Sequence, residues 1–251
     1  MMCRVLGVSR SGYYAWVGRE PSLRSKDEAQ LRLKILAIFK KHKKRYGAPR
    51  IVRELRGQET FTSKKRVARI MVEEGIRARP KRAKKRRPVA ATAIPPAPNR
   101  LERNFTTAAR DIAWVMDIKY IWTLKGWVHL AAIIDLYSRK VVGWALDERI
   151  DAELCCRALR VALQSRRPPS GLILHSDQGS QFTSESFTDL ARSHGITQSM
   201  SRRGDCWDNA VVESFFDTLS AELLEERTFT SLPHVLDELF KYIEYYNVER
   251  L

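Results

Sequence analysis

Apolar residues recur at helical spacing through roughly the first 76 residues, and at strand spacing after residue 111. Residues 1–20 read as a short helical fragment and a turn, with Tyr13, Tyr14 and Trp16 as apolar anchors. SKDE follows, a capping box with Ser25 as N-cap and Glu28 three residues on. Leu31, Ile35, Ile38 and Phe39 then mark one helix face, and that helix ends in KKHKKR, residues 40–45. In YGAPRIVRELRG, Pro49 sits near a helix start and Gly57 just past its end. Ser63 can cap KKRVARIMVEEG, which Gly75 closes. Three short helices with tight connections predict a helix-turn-helix. The third turns Val67, Ile70 and Met71 inward and shows Lys64, Lys65, Arg66 and Arg69 outward, as a recognition helix would. A helical bundle with a solvated basic face is the competing reading of the same pattern.

Beyond residue 111 the periodicity changes, and the chain becomes rich in β-branched and aromatic residues. IAWVMDIKYIWT (112–123), WVHLAAIIDLYS (127–138) and KVVGWAL (140–146) predict three strands, the first two joined by a Lys125-Gly126 turn, in an antiparallel meander. DAELCCRALRVALQS (151–165) reads as a helix with Leu154, Ala158, Leu159 and Ala162 inward. LILH (172–175) is a short buried strand, TSESFTDLARSHG (183–195) a helix and ITQSM (196–200) a fifth strand. Two further helices are expected over roughly 207–226 and 231–249. Strands alternating with helices predict an α/β unit with a mixed sheet.

Charge divides the chain at the same place. Residues 1–100 carry 28 Lys and Arg against 7 Asp and Glu, and residues 101–251 carry 17 against 22. The surplus of 21 and the deficit of 5 give the net +16. Solubility does not require such segregation, so a polyanion-binding half joined to a different module is the expectation. RARPKRAKKRRP (77–88) has eight basic residues in twelve, and a proline-rich stretch follows. This segment should lack regular structure in isolation and be drawn to phosphate through Lys81, Arg82, Lys84, Lys85, Arg86 and Arg87. Cys3, Cys155, Cys156 and Cys206 form no Cys-x-x-Cys pair and read as reduced thiols. No apolar run approaches a membrane span and the N-terminus lacks a signal core, so a cytoplasmic protein is expected.

Three acidic positions then stand out. Asp117 lies inside the first strand, Asp177 ends the fourth, and Glu213 lies on a helix among Val211, Val212, Phe215 and Phe216. Each alone has a plain structural explanation: a solvated edge, a loop cap, a helix-surface charge. If the first and fourth strands are neighbours, the three carboxylates can meet, and they cannot all stay ionised without a cation. Hard oxygen ligands select Mg²⁺ or Mn²⁺. Two such ions can clamp both oxygens of a phosphodiester undergoing displacement. His175 reads as structural, and Asp208 and Asn209 as positioning the loop before the Glu213 helix.

The motifs VLGVSRSGYYAW, YGAPRI, KKRVARIM, WVMDIKYI, HSDQGSQF, SMSRRGDCWDNAVVESFFDTL and YNVERL, spread over nearly the whole chain, resemble insertion-sequence transposases of the OrfB type. Their catalytic core is similar to that of retroviral integrases. The resemblance implies a ribonuclease H-like mixed-sheet core over 111–251, a helix-turn-helix-like DNA-binding region over 1–76, and a basic, Pro-rich linker over 77–110. It implies Asp117, Asp177 and Glu213 as catalytic and metal-binding residues, with 35 residues between the last two. The activity implied is metal-dependent DNA cleavage and strand transfer at element ends. The partners implied are double-stranded DNA (terminal repeats and target), further copies of the chain, and an upstream helix-turn-helix protein. Two departures stand out: Ser220 lies where relatives carry Lys or Arg, and Met116 where they carry a hydroxyl residue. The chain also stops at Leu251, where relatives are expected to continue. A metal-dependent nuclease and an inactive, truncated DNA-binding relic are the alternative readings.

Overall fold

The computed structural model describes residues 3, 7–20, 22–78, 97–202 and 206–250. The chain divides into two units at residues 79 and 80. In the first, α1 (Arg10–Val17) is capped by Ser9, whose hydroxyl accepts from Gly12 N. Its aromatics do not anchor it as expected: Tyr14 and Trp16 are 65% and 69% exposed, and no residue of α1 is buried. An apolar stripe on a two-turn helix orders nothing unless another element of its unit covers it.

Helix α2 (Leu23–Lys41) starts three residues earlier than expected. Ser22, not Ser25, supplies the hydroxyl, accepting from Ser25 N at 3.1 Å. Glu28 is thereby left to pair with Arg69. Leu31, Ile35, Ile38 and Phe39 are buried against α3 (Ala48–Gly57) and α4 (Lys64–Glu73). Gly57 closes α3 from inside its last turn, with Gln58 as the C-cap. Ser63 caps α4 as expected, and Val67, Ile70 and Met71 point into this small core.

The second unit is built on one sheet of order β3-β2-β1-β4-β5. β1 (Ala113–Thr123), β2 (Gly126–Asp135) and β3 (Val141–Asp147) are antiparallel, and β4 (Ile173–Ser176) and β5 (Thr197–Met200) continue parallel to β1. β2 ends earlier than its apolar pattern suggests because the buried Asp135 carboxylate accepts Ser138 N and Oγ at 2.8 and 2.6 Å. That turn ends the ladder and starts β3.

Alternation sends successive side chains to opposite faces. Ala113, Val115, Val128, Leu130, Ala132 and Ile134 face α7 (Ala210–Glu222) and α8 (Leu232–Val248). Trp114, Met116, Ala131 and Ile133 face α5 (Ala152–Arg166) and α6 (Glu185–Ser193). β2 is therefore buried on both faces, which is why it reads as a nearly unbroken apolar run. α5 lies very close to β3: a Cβ on Gly143 would fall 2.4 Å from the Ala158 carbonyl oxygen. Residues 97–105 precede the sheet and pack onto it, with Leu101 buried and Ala97 and Phe105 against the core.

Candidate active site

Strand pairing brings the first two acids to the end of the β1–β4 ladder. β1 and β4 pair through Ala113–Ile173, Trp114–Leu174 and Val115–His175. Asp117 and Asp177 each stand two residues beyond the last pair, in equivalent register. Asp117 shares the face of Ala113, Val115 and Ile121, the face that α7 covers. Glu213 lies in the first turn of α7, half-buried beside the buried Val212 and Phe216. Asn209, preceding α7, donates Nδ2–H to the Met116 carbonyl at 3.2 Å. The start of the Glu213 helix is thereby tied to the residue next to Asp117.

Local hydrogen bonds orient the first two carboxylates. Asp117 Oδ1 accepts Ile118 N at 2.8 Å, and Asp177 Oδ1 accepts Gly179 N at 2.9 Å. Asp177 is accessible at the rim, yet protein crowds it on its inner side. The lost hydration pushes its carboxyl above the ordinary carboxylate value, against the pull of the Gly179 N–H. The buried Cys155 thiol lies within electrostatic reach of both Asp177 and Asp117. Burial first, then neighbouring charges including these two, hold it protonated.

Among the described residues, no three His, Cys, Asp or Glu side chains close into a set that could hold a metal ion. Asp117 and Asp177 stand just beyond the β1–β4 ladder, and the Glu213 helix is tied beside them through Asn209, without a finished coordination sphere. Their chemistry still fits a hard divalent cation: all are carboxylate donors, and burial makes the charged form of Asp177 costly without a positive partner. Asn209 Oδ1 adds a buried acceptor with no hydrogen-bond partner among the described residues.

Around the acids a polar network holds the backbone. His175 is fully buried, with Nδ1 2.8 Å from Ser199 Oγ and Nε2 3.1 Å from Ser201 Oγ. Desolvation lowers its pKa to about 4, which fits a structural ring and not a base working near neutrality. Asp208 is buried and takes hydrogen bonds from Arg202, Arg103 and Asn99. Arg202 foremost holds its carboxyl far below the ordinary range. Asn99 and Arg103 escape a pattern search because they fall within the presumed linker, although Leu101 and Phe105 beside them are apolar at an otherwise polar stretch. Ser220 turns its hydroxyl back onto the Phe216 carbonyl at 2.7 Å and lines a cleft of about 370 Å³ with Lys119, Trp122 and Arg227.

In the helical unit, Lys64 and Lys65 are exposed on α4. Arg66 and Arg69 are engaged at home instead: Arg66 pairs with Asp27 at 2.7 Å, and Arg69 with Glu28 and Glu73 at 3.0 Å each. Lys81, Arg82, Lys84, Lys85, Arg86 and Arg87 lie outside the described residues. Among the described residues, no helix is long and apolar enough to cross a membrane.

An integrase core domain matches residues 108–206 and again 194–251, and an HTH-like domain matches residues 25–84. The chain is 39% identical over 250 residues to the uncharacterized 31 kDa protein of insertion element IS600 from Shigella sonnei, covering 99% of this chain and 92% of that protein. It is 39% identical over 247 residues to transposase InsF of insertion sequence IS3A from Escherichia coli, covering 97% and 85%. Among solved structures, a chain of the simian T-cell lymphotropic virus intasome bound to PP2A regulatory subunit B56 gamma aligns with TM-score 0.48 and 14% identity, over 75% of this chain and 62% of that one. The chain belongs to the insertion-sequence transposases of the OrfB, integrase-like type.

Proposed function

We propose that this transposase cuts and joins DNA strands at the ends of an insertion sequence as a metal-dependent polynucleotidyl transferase, with Asp117, Asp177 and Glu213 as its catalytic acids. The observation that carries the reading is the equivalent register of Asp117 and Asp177 beyond the β1–β4 ladder, with the Glu213 helix tied to Met116. The three carboxylates would hold Mg²⁺ or Mn²⁺, two ions in the full reading. Ions held there would supply charge neutralisation and Lewis acidity toward a phosphodiester. The chain itself orients the acids through the Ile118 and Gly179 amides. His175, neutral near pH 7, keeps the end of β4 in place and takes no proton from the reaction.

The helical unit would grip terminal repeats, with the exposed Lys64 and Lys65 leading and the basic segment adding phosphate contacts. Binding should therefore weaken steeply with salt. Arg66 and Arg69 would have to leave their carboxylate partners to touch DNA. Further copies of the chain and an upstream helix-turn-helix partner belong to this reading as participants on paired ends.

The test mixes the full chain with pre-cut element ends, a target plasmid and Mg²⁺. Joined products are expected, and Asp117→Asn, Asp177→Asn and Glu213→Gln should each abolish them while leaving end binding intact. Cutting without joining would make the protein a nuclease. Joining that survives Asp117→Asn would refute the assignment of the acids.

A further inference from the structure

The segment that leads into the sheet contacts β5, which pairs with the strand leading to Asp177, and the turn that precedes the Glu213 helix. At one end, Arg100 N donates to Ser199 Oγ at 2.9 Å, and Ser199 Oγ contacts His175 Nδ1 at 2.8 Å. His175 lies in β4, two residues before Asp177, and β5 adds a second tie where Ser201 N donates to the Ser176 carbonyl at 2.9 Å. At the other end, Asn99 Nδ2 donates to Asp208 Oδ2 at 2.9 Å and Arg103 Nε to Asp208 Oδ1 at 2.8 Å. Asp208 lies in the turn Cys206–Asn209 that opens directly into α7, five residues before Glu213. The segment is itself stiffened, because Asn99 Oδ1 accepts Leu101 N and Glu102 N at 3.1 and 3.0 Å. Leu101 is buried in the core beneath.

The Asp208 side chain is 0% exposed while those of Arg103 and Arg202 are 44% and 59% exposed. A buried carboxylate satisfied by charged donors is strong where its geometry is met and costly where a donor is lost. Its pKa, held down first by the Arg202 hydrogen bond, keeps it ionised at any working pH, so the grip does not switch with mild acid. The network contains none of the three proposed acids; it bears on where two of them are held relative to the third.

We infer that Asn99–Arg103 is a positioning strap. By holding Asp208 and Ser199 together it sets the Glu213 helix against the strand end that carries Asp177. The inference rests on the proposed roles of Asp177 and Glu213. It gives the join between the basic, DNA-attracting segment and the core a catalytic consequence: a pull on residue 99 reaches the start of α7 through two hydrogen-bonded residues.

The test uses the full chain with Arg103→Ala, Asn99→Ala and Arg103→Lys. Misplacing a catalytic group by about 1 Å can cost about 100-fold in rate, and loss of an outer partner of a metal ligand typically costs about 10–100-fold in metal affinity or activity. Arg103→Ala should therefore slow single-turnover strand transfer by about 10–100-fold and raise the half-saturating Mg²⁺ concentration, with affinity for end DNA changed by less than about 2-fold. Arg103→Lys keeps the charge and a donor and should recover most of the rate. Hydrogen exchange at the first-turn amides of α7 should quicken in Arg103→Ala and Asn99→Ala, a readout that needs no activity. Should Arg103→Ala fail to fold, Asn99→Ala decides on the same measurements. Wild-type rate, Mg²⁺ response and α7 exchange in the strap variants, alongside an inactive Asp117→Asn, would overturn the strap and leave the acids standing. An active Asp117→Asn would remove the acids' assignment, and the strap with it. Rate and DNA affinity falling in proportion would make Arg103 a DNA contact instead.

Discussion

Protonating His175 puts a charge where the fold offers too little compensation. The ring is 0% exposed, flanked by Ser199 and Ser201, and its pKa falls from 6.5 to about 4 because burial strips the imidazolium of water. Asp208 pulls the other way and does not win. Between those two values the unfolded chain binds a proton that the folded chain refuses, so the unfolded state holds more protons and stability rises with pH. Stability is therefore lost as pH falls from about 6.5 to about 4, and levels off below. At about 1.4 kcal/mol per pH unit the interval amounts to about 3 kcal/mol, a large share of a typical domain's stability. The assay is urea unfolding followed by tryptophan fluorescence across that range, for wild type and His175→Gln. The variant should be less stable at pH 7, having exchanged a bonded ring for a flexible amide, and should show a shallower acid limb. Asp208, Asp147, Glu28 and Glu54, with lowered pKa values, titrate below most of the window and largely cancel in the difference. Parallel acid limbs in the two proteins would refute the reasoning.

Asp177→Asn should raise the urea midpoint of the metal-free protein at neutral pH while abolishing strand transfer. The folded carboxyl is harder to ionise than the unfolded one, so the gain should vanish below the ordinary carboxylate pKa. Gly143→Ala should cost about 1–3 kcal/mol by overpacking, because its Cβ would lie 2.4 Å from the Ala158 oxygen and 2.6 Å from the Ala162 Cβ; an unchanged unfolding midpoint would contradict the close β3–α5 approach. Arg250→Ala removes the guanidinium whose Nε and Nη2 bond both oxygens of the buried Glu222, at 3.0–3.2 Å. Stability should drop by about 3–5 kcal/mol, with much of it regained when Glu222→Leu is added, because the loss lies in the stranded charge. Thermal unfolding of the single and double variants checks this.

Local sequence was enough for most elements. Runs rich in β-branched and aromatic residues around a Lys-Gly turn specify the β1–β2 hairpin, and helical spacing with Ser63 and Gly75 bounds α4, because these signals act between near neighbours in the chain. Errors gathered where the deciding partner lay farther off. Tyr14 and Trp16 look like core residues until one asks what covers them. Arg66 and Arg69 look like free cations until α2 brings Asp27 and Glu28 alongside. β2 ends at Asp135 because its carboxylate takes the Ser138 N–H and hydroxyl and turns the chain.

Asp117, Asp177 and Glu213 could be named from the chain as acids in unlikely settings, but their proximity was conditional on β1 and β4 being neighbours. That neighbourhood depends on pairing between residues about 60 positions apart, to which no short-range pattern is sensitive. The strap from Asn99 to Arg103 was hidden for the same reason. Its meaning resides in a buried carboxylate more than a hundred residues away, and a hydrogen bond of that reach exists only once the sheet has brought its two ends together.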